Sequence, residues 1–323
     1  MSGPLTICVG NNTLATYAGS ELWTYTLVAE LQRRGHHATA FSPDLGAIAS
    51  KLEALGIPCT ADVHTVPREC DVIICNHHDI TTALHRRLPH VPIIAVVHGI
   101  SHRDPHTGQR LPEHPVIDFE VEQYVAVSEE VQTLLRASYD IDAVVLRNFF
   151  DLGRFAWTPD PFDGVPRNIL INCNYSRPQD DNVRVMREVA AHYGAQLRTI
   201  GANFQEVGWA VEDAISDSDV VVGMGRSVLE GFCMGKLALV HGRWGTGGVV
   251  TEQTYDVLKL TNFSGRNSNG RLASAGEIVG LIDDAIGHRQ SEWQRQTVET
   301  NHDVRAAAAS LVQRAEGLLR SRR

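Results

Sequence analysis

Short β-branched runs alternate with amphipathic stretches along almost the whole chain. This alternation is typical of parallel β-sheets whose strands are joined by helical crossovers. Six runs in the first half are predicted to form one sheet: residues 5–9, 37–41, 72–75, 93–97, 124–127 and 143–146. Five runs follow in the second half: residues 169–171, 196–200, 219–223, 237–240 and 257–260. We therefore predict an α/β protein of two doubly wound, Rossmann-like units with a ligand between them.

A segment that fits neither the helical nor the strand period lies between the two series. Residues 156–166 (AWTPDPFDGVP) contain three prolines and a glycine, which is typical of a hinge between domains. We expect residues 1–155 to form the first domain and residues 167–302 the second, since 323 residues suit two domains at roughly 150 residues each. Residues 303–323 place apolar side chains at helical spacing and are predicted to form a closing helix.

The composition is that of an ordinary globular protein and disfavours several classes. The 29 Lys and Arg against 38 Asp and Glu give a net charge of −9, which argues against a nucleic-acid partner. No apolar run approaches the roughly 20 residues that span a bilayer. The opening MSGPLTICVG reads as a first strand rather than a signal peptide, so we expect a cytoplasmic protein. The six cysteines form no C-x-x-C pair, so neither a disulfide framework nor a zinc cluster is predicted.

Two further patterns have plain explanations. Three arginines near the C-terminus would suit an anionic membrane surface, but basic residues in a last helical turn also complement the helix dipole, and we favour that interpretation. They are Arg320, Arg322 and Arg323. His102 and His106 have the spacing of a metal pair, but Pro105 between them argues against a helix, so no metal site is predicted.

The first strand is followed by a loop and then by a glycine that opens a helix. Gly19 precedes Ser20 and a run of helix-forming residues that ends near Gly35. A glycine at a helix N-terminus lets a phosphate approach the unpaired backbone N–H groups, so Gly19 is a candidate phosphate-binding residue. From this feature alone, the alternative that Ser20 caps the helix and Gly19 turns the chain is favoured. The G-x-G-x-x-G pattern is absent, which argues against NAD.

Four segments together resemble one enzyme family. They are AGSELWTYTLVAELQRRGHHATAFSP, YVAVSEEVQTLL, VLRNFFDLGRF and GMGRSVLEGFCMGKLALVHG. In this order and spacing the chain resembles the family 4 glycosyltransferases of the GT-B fold. The resemblance implies two Rossmann-like domains facing a central cleft, with the acceptor on the N-terminal side. It also implies retaining transfer of a hexosyl or related group from a nucleoside diphosphate sugar to a saccharide, lipid-linked, protein or small-molecule acceptor, without a metal or a resident cofactor.

The segment around Glu230 carries the most specific implication. In the family the matching glutamate accepts hydrogen bonds from the ribose hydroxyls of the donor, and backbone N–H groups of the helix start face the diphosphate. Here those groups belong to Ser227, Val228 and Leu229. A carboxylate can accept two hydroxyl hydrogen bonds, and a helix N-terminus favours an anion. Without the resemblance, Ser227-x-x-Glu230 reads as a capping box.

The chain departs from the family pattern at three positions. Val222 stands where the family has a first glutamate, and Asn174 and Gln179 stand where it has a basic pair. Departure of a nucleoside diphosphate needs positive charge nearby, and Arg177 and Arg226 are the remaining candidates, each with the alternative of a solvated surface arginine. These departures motivate a second hypothesis, a noncatalytic nucleotide-sugar binding subunit that supports a partner enzyme.

His98 is the candidate site residue of the first domain. It follows the predicted strand 93–97 directly, so its ring lies at the carboxyl end of a parallel strand, where such sheets bind ligands. In the family a histidine in the matching segment lines the sugar site. His77, His78 and Asp79 end the preceding strand in the same way and are predicted to line the acceptor side. Trp244, in a glycine-rich loop, has two interpretations, stacking on a base or covering a hinge, and we favour the second.

Overall fold

The structure is a computed structural model that describes residues 3–100, 102–103, 110–111, 119–158, 164–206, 209–288 and 291–322, without the side chains of 102, 103, 110 and 111. The chain divides into two compact units. Unit 1 comprises Met1–Phe149 and Val304–Arg323, and unit 2 comprises Phe150–Asp303. Residues 159–163 of the predicted hinge lie outside the described residues. Within the described ranges, no helix is long and apolar enough to cross a membrane.

Unit 1 contains a seven-stranded parallel sheet with four helices from the first part of the chain. The strands are β1 (Thr6–Gly10), β2 (His37–Phe41), β3 (Cys59–Thr60), β4 (Val72–Asn76), β5 (Ile93–Val97), β8 (Gln123–Ala126) and β9 (Ala143–Val145), and a separate antiparallel pair is formed by β6 (His102–Arg103) and β7 (Arg110–Leu111). The helices are α1 (Gly19–Arg33), α2 (Ala47–Glu53), α3 (His78–Arg87) and α4 (Glu129–Tyr139). All six strands predicted for this half are present in the one sheet, to within two residues.

The strand order in unit 1 is β3-β2-β1-β4-β5-β8-β9. β4 and β5 are completely buried, and their near-continuous Val and Ile content is what a strand covered on both faces requires. The order reverses direction between β1 and β4, and a doubly wound sheet binds ligands outside the strand carboxyl ends at such a switch point.

Unit 2 contains a five-stranded sheet in the order β11-β10-β12-β13-β14. Its strands are β10 (Asn168–Asn172), β11 (Gln196–Ile200), β12 (Val220–Gly223), β13 (Leu237–Gly242) and β14 (Gly245–Val249), of which β14 runs antiparallel. Its helices are α5 (Asp181–Tyr193), α6 (Val211–Ser216), α7 (Arg226–Cys233), α8 (Tyr255–Leu260), α9 (Ala275–Gly287) and α10 (Ser291–Asn301). Here the switch point lies between β10 and β12.

The strand predicted at residues 257–260 is wrong, because this segment belongs to the helix α8. The helix buries Tyr255 and Leu258 and leaves Val257 53% exposed. In a run this short, the apolar pattern of such a helix is the same as that of a strand. The fifth strand is instead β14, whose sequence GTGGV contains little of a strand's usual composition. Its Gly248 adopts φ 110°, a conformation that favours glycine, beside a register shift at Val240 and His241.

The last helix, α11 (Val304–Ser321), packs against α1 and belongs to unit 1. Its buried residues recur at helical spacing: Val304, Ala307, Ala308, Leu311 and Ala315. Two hydrogen bonds fasten its ends, since Arg34 donates to the carbonyl of Arg305 and Arg322 donates to the carbonyl of His90. The chain therefore completes its first unit only after the second unit has been traversed.

Candidate functional site

The candidate residue of unit 1, His98, is held by a chain of hydrogen bonds that begins at a backbone carbonyl. Thr24 Oγ1 donates to the carbonyl oxygen of Ser20 (2.9 Å), so it accepts from Asn76 Nδ2 (2.9 Å). The remaining oxygen of that amide, Asn76 Oδ1, lies 2.7 Å from His98 Nε2 and must accept from it. Asn76 is fully buried, so this network orients the imidazole and places a hydrogen on Nε2.

Aromatic packing fixes the same ring from its sides. The ring of Trp23, which is fully buried, meets His98 edge to face at a centroid distance of 5.3 Å. The ring of His77 lies 6.3 Å from that of His98. His77 adopts φ 69°, a strained value for a residue with a side chain, and such strain is found preferentially at functional sites. His98 itself is partly exposed at the end of β5, where the sequence places it.

Gly19 is the first residue of α1, and its surroundings are open. Among the residues that the structure describes, none apart from its neighbours in the chain lies within 4 Å of a Cβ atom added to Gly19. The alternative that Ser20 caps the helix is wrong, because the cap position is Ala18 and Ser20 Oγ donates to Glu21 Oε2 (2.8 Å). The carboxylate of Glu21, which is buried, lies in the first turn and complements the helix dipole. A phosphate near Gly19 would therefore meet open N–H groups and one nearby negative charge.

The candidate residue of unit 2, Glu230, lies in α7 and makes two buried polar contacts. Its Oε1 atom is 3.2 Å from Arg226 Nε, and its Oε2 atom accepts from Asn172 Nδ2 (3.0 Å). The side chains of Arg226 and Glu230 are only 7% and 4% exposed. The capping-box alternative is wrong, because α7 begins at Arg226 with Gly225 as its cap, so that Ser227 lies inside the helix. Glu230 is held as a partner of Arg226 and Asn172.

The electrostatics of this pair follow from its burial. Burial raises the pKa of the Glu230 carboxyl, while the positive charges of Arg226 and Arg154 oppose that rise. Burial also lowers the pKa of the Arg226 guanidinium, and the charge of Glu230 opposes that shift. The guanidinium carbon lies 4.5 Å from the ring centroid of Phe150. Each ion thus compensates for the hydration that the other loses on burial. The charge of Arg226 is therefore already balanced by Glu230.

The amide groups at the start of α7 are not equivalent. The Leu229 N–H donates to the carbonyl of Gly225 (3.3 Å), which is the first hydrogen bond of the helix. The N–H groups of Ser227 and Val228 come before it and have no acceptor within the helix. The side chains of Val228 and Leu229 are completely buried in the core, so these residues would meet a ligand through their backbone alone. Gly225 adopts φ 58° and ψ −124°, which only glycine adopts readily, and its N–H donates to the carbonyl of Phe263.

The loop after β10 contains the other predicted cation. Arg177 is exposed, and within the described ranges its side chain makes no hydrogen bond or ion pair, while its backbone N–H donates to Asp180 Oδ2. Asn174 Oδ1 accepts from the N–H of Ala202 (3.0 Å), so this side chain fastens a neighbouring loop. Val222 is 1% exposed in the core of the sheet, where a carboxylate would be buried among apolar side chains.

Sequence reasoning missed the two residues that hold the candidate side chains. Asn76 ends β4 and holds His98, and Asn172 ends β10 and holds Glu230. In both units the asparagine belongs to the strand at a switch point. Both asparagines end a strand that is otherwise mostly apolar, VIICN for β4 and NILIN for β10. Because a buried amide must be hydrogen-bonded, this pattern in the sequence could have identified them.

Among the described residues, no group of three or more His, Cys, Asp or Glu side chains has the arrangement of a metal site. His106 and the side chain of His102 lie outside the described residues.

Several solved structures are similar to this chain over nearly their whole length. Anabaena HepE, in complex with UDP-glucose, has a TM-score of 0.64 and 15% identity, covering 96% of this chain and 99% of its own. A glycosyltransferase from Rickettsia africae ESF-5 has a TM-score of 0.67 and 14% identity, covering 98% and 99%. CalG4, the calicheamicin glycosyltransferase, has a TM-score of 0.53 and 13% identity, covering 97% and 98%. No protein-family model and no curated protein sequence matches the chain.

These similarities define the fold class of the protein. The coverage includes both units, and each unit has the doubly wound parallel sheet of a Rossmann-like domain. The chain has the GT-B fold that the sequence predicted.

Proposed function

We propose that the protein is a glycosyltransferase that moves a sugar from a nucleoside diphosphate sugar to an acceptor, with retention of configuration and without a metal. The observation that carries the proposal is the carboxylate of Glu230, held by Asn172 and Arg226 beside the switch point of unit 2. Support comes from the fold, which the chain shares with Anabaena HepE bound to UDP-glucose and with two glycosyltransferases.

Glu230 is suited to bind the ribose of the donor. Each of its carboxylate oxygens accepts one hydrogen bond from the described part of the chain, and a carboxylate oxygen has a second acceptor position that suits a ribose hydroxyl. Because both oxygens are already oriented by buried partners, little conformational entropy would be lost on binding. The N–H groups of Ser227 and Val228 precede Glu230 at the positive end of the α7 dipole, where the diphosphate of the same donor would be favoured. The N–H of Leu229 is bonded to the carbonyl of Gly225, so we assign no donor contact to it.

In unit 1 we assign His98 to the sugar and Gly19 to the close approach of the donor. The hydrogen bond from His98 Nε2 to Asn76 holds the imidazole at the carboxyl end of β5, where parallel sheets bind ligands. Gly19 offers an open surface at the start of α1. Arg177 is exposed in the loop after β10, and we assign its charge to the leaving diphosphate, with Arg226 acting through its ion pair with Glu230.

The second candidate function is a noncatalytic nucleotide-sugar binding subunit. It is favoured by the positions at which the chain lacks the charges of the resembled family: Val222, Asn174 and Gln179. This alternative shares the donor-binding residues with the first proposal and differs in the reaction. Hydrolysis or transfer of the donor sugar therefore distinguishes the two.

The experiment is thermal unfolding of the protein with UDP, GDP, ADP, dTDP or CDP. A ligand that binds the folded protein at about 100 times its Kd stabilises it by about 2.7 kcal/mol and raises its Tm. We expect one nucleotide to do so, and we expect Glu230→Gln to lose that shift. Glu188→Gln, an exposed position on α5, serves as the control that retains it.

The sugar nucleotides of the base that binds are then assayed for donor hydrolysis and for transfer. Turnover supports the transferase, and binding without turnover on any acceptor supports the binding subunit. The absence of a Tm shift with all five nucleotides would contradict both.

A further inference from the structure

The sequence resemblance leaves the leaving diphosphate without the family's basic pair, and unit 2 has another cation at the same sheet edge. Arg243 follows β13 directly and is exposed. Its guanidinium carbon lies 4.3 Å from the ring centroid of Trp244 and 5.3 Å from that of Tyr175. Two aromatic rings therefore hold a charged group that solvent can reach. Tyr175 is itself 62% exposed, so this cluster of Arg243, Tyr175 and Trp244 lies at the surface.

The cluster lies beside the start of α7. Tyr175 follows β10 and Arg243 follows β13, and these two strands flank β12, from which the chain enters α7. All three strands are parallel, so their carboxyl ends meet at one edge of the sheet. A Cβ atom added to Gly242 would lie 2.5 Å from Met224 Sδ, so Gly242 packs against Met224. Gly242 directly precedes Arg243, and Met224 directly precedes Gly225, the cap of α7.

Arg243 differs in its ion pairing from two other arginines of unit 2 that lie near α7. Within the part of the chain that the structure describes, no carboxylate forms an ion pair with Arg243, whereas Arg226 is paired with Glu230 and Arg154 with Glu212. A guanidinium held over aromatic rings still has N–H groups at its edge, and two of them match two phosphate oxygens. Arg177 also lacks an ion pair among the described residues, but unlike Arg243 it has no aromatic ring among them to orient its guanidinium.

We propose that Arg243, oriented by Tyr175 and Trp244, binds the diphosphate of a nucleoside diphosphate or its sugar. This inference rests on the proposed function and adds to it a second cation, in addition to Arg177, that stabilises the leaving group. The role of Trp244 is then to position an arginine. The N–H groups of Ser227 and Val228 at the start of α7 and the guanidinium of Arg243 after β13 would contact the same diphosphate.

The test is calorimetric titration of the nucleoside diphosphate found by thermal unfolding and of the matching nucleoside. Arg243→Gln should weaken the affinity for the nucleoside diphosphate by about tenfold or more, the effect of losing a hydrogen bond to a charged group. It should leave the affinity for the nucleoside unchanged. Arg243→Lys should give an intermediate loss, because it keeps the charge without the planar stack. Arg184→Gln, an exposed arginine of α5, should bind as the unaltered protein does.

The outcomes separate this inference from the proposed function. If the unaltered protein binds the diphosphate and Arg243→Gln binds it equally well, the inference is overturned and the proposed function stands. Equal losses for nucleoside and diphosphate would place Arg243 at the base and also overturn it. A loss in Arg177→Gln without one in Arg243→Gln would leave Arg177 as the cation for the diphosphate and overturn the inference. If the unaltered protein binds no nucleotide, both proposals fail together. The Tm of each variant without ligand shows that it is folded.

Discussion

Arg226 Nε lies 3.2 Å from Glu230 Oε1, one helical turn along α7, and both side chains are more than nine-tenths buried. Asn172 Nδ2 satisfies the other carboxylate oxygen, and the ring of Phe150 covers the guanidinium. The pair is therefore a nearly dry ion pair with defined partners on each side. Its members depend on each other, because an isolated buried charge is far less stable than a paired one.

The first prediction concerns stability. Glu230→Ala should lower the free energy of unfolding by about 3–5 kcal/mol, because it leaves the Arg226 charge buried without its partner. The double variant Arg226→Leu with Glu230→Leu should lose less than the sum of the two single leucine variants. Urea unfolding of the four proteins gives the coupling energy. A strictly additive double variant would show that the two charges do not depend on each other. Because of this cost, Glu230→Gln is the better variant for nucleotide binding.

The second prediction concerns the approach of the donor to unit 1. Gly19→Ala should leave stability unchanged or raise it by up to about 1 kcal/mol, since the added methyl group meets open space and alanine favours helix. Donor turnover should fall by about tenfold or more if the ligand packs against this glycine, because overpacking a contact costs about 1–3 kcal/mol. Gly276→Ala is the matched control, an exposed glycine near the start of α9 whose added Cβ also meets nothing. Equal turnover in both variants would remove Gly19 from the site.

The third prediction concerns the two strand-final asparagines. Asn76→Ala should destabilise the protein by about 1–3 kcal/mol by leaving buried groups without hydrogen bonds, and should lower sugar transfer while nucleotide affinity stays constant. Asn172→Ala should instead lower nucleotide affinity, because it releases Glu230. Asn76→Asp keeps an acceptor for His98 and should retain more transfer than Asn76→Ala. Transfer rates and nucleotide affinities are measured on the same preparations. Loss of nucleotide affinity in Asn76→Ala, or unchanged nucleotide affinity in Asn172→Ala, would contradict these assignments.

The fourth prediction concerns pH. His241 is buried and donates from Nε2 to the carbonyl of Asn182, and burial lowers its pKa. The pKa of His36 is lowered as well, first by burial and then by the charge of Arg34. Above a pH of about 6.5 both histidines are neutral in the folded and the unfolded chain. Below it, the unfolded chain binds protons before the folded chain does, so the free energy of unfolding should decrease as pH falls.

Urea unfolding between pH 5 and pH 8 measures this slope. His241→Gln should reduce the slope while His36 maintains a part of it. His90→Gln, an exposed histidine, is the control and should retain the slope of the unaltered protein. A variant at His241 that keeps the full slope would show that other groups carry the pH dependence.

The strands were predictable where burial on both faces makes the apolar pattern continuous, as in β4 and β5. Prediction failed at the edge of unit 2, where the glycine-rich β14 replaces the strand expected in α8. An edge strand packs fewer side chains, so its sequence is less constrained, and a short apolar run in a helix that buries one face has the same local composition as a strand.

The sequence by itself determined the α/β class, most strands of the two large sheets, the position of His98 directly after a strand and that of Glu230 in the helix after another strand, because hydrophobic periodicity and turn residues are local properties. The tertiary structure decided which side chains meet: His98 with Asn76, Glu230 with Asn172, and Arg243 with Tyr175. It also decided that Ser227 caps nothing and that Arg226 is paired. These contacts join the ends of strands to segments that follow other strands, and their proximity depends on strand order in the sheet, which no local pattern of residues records.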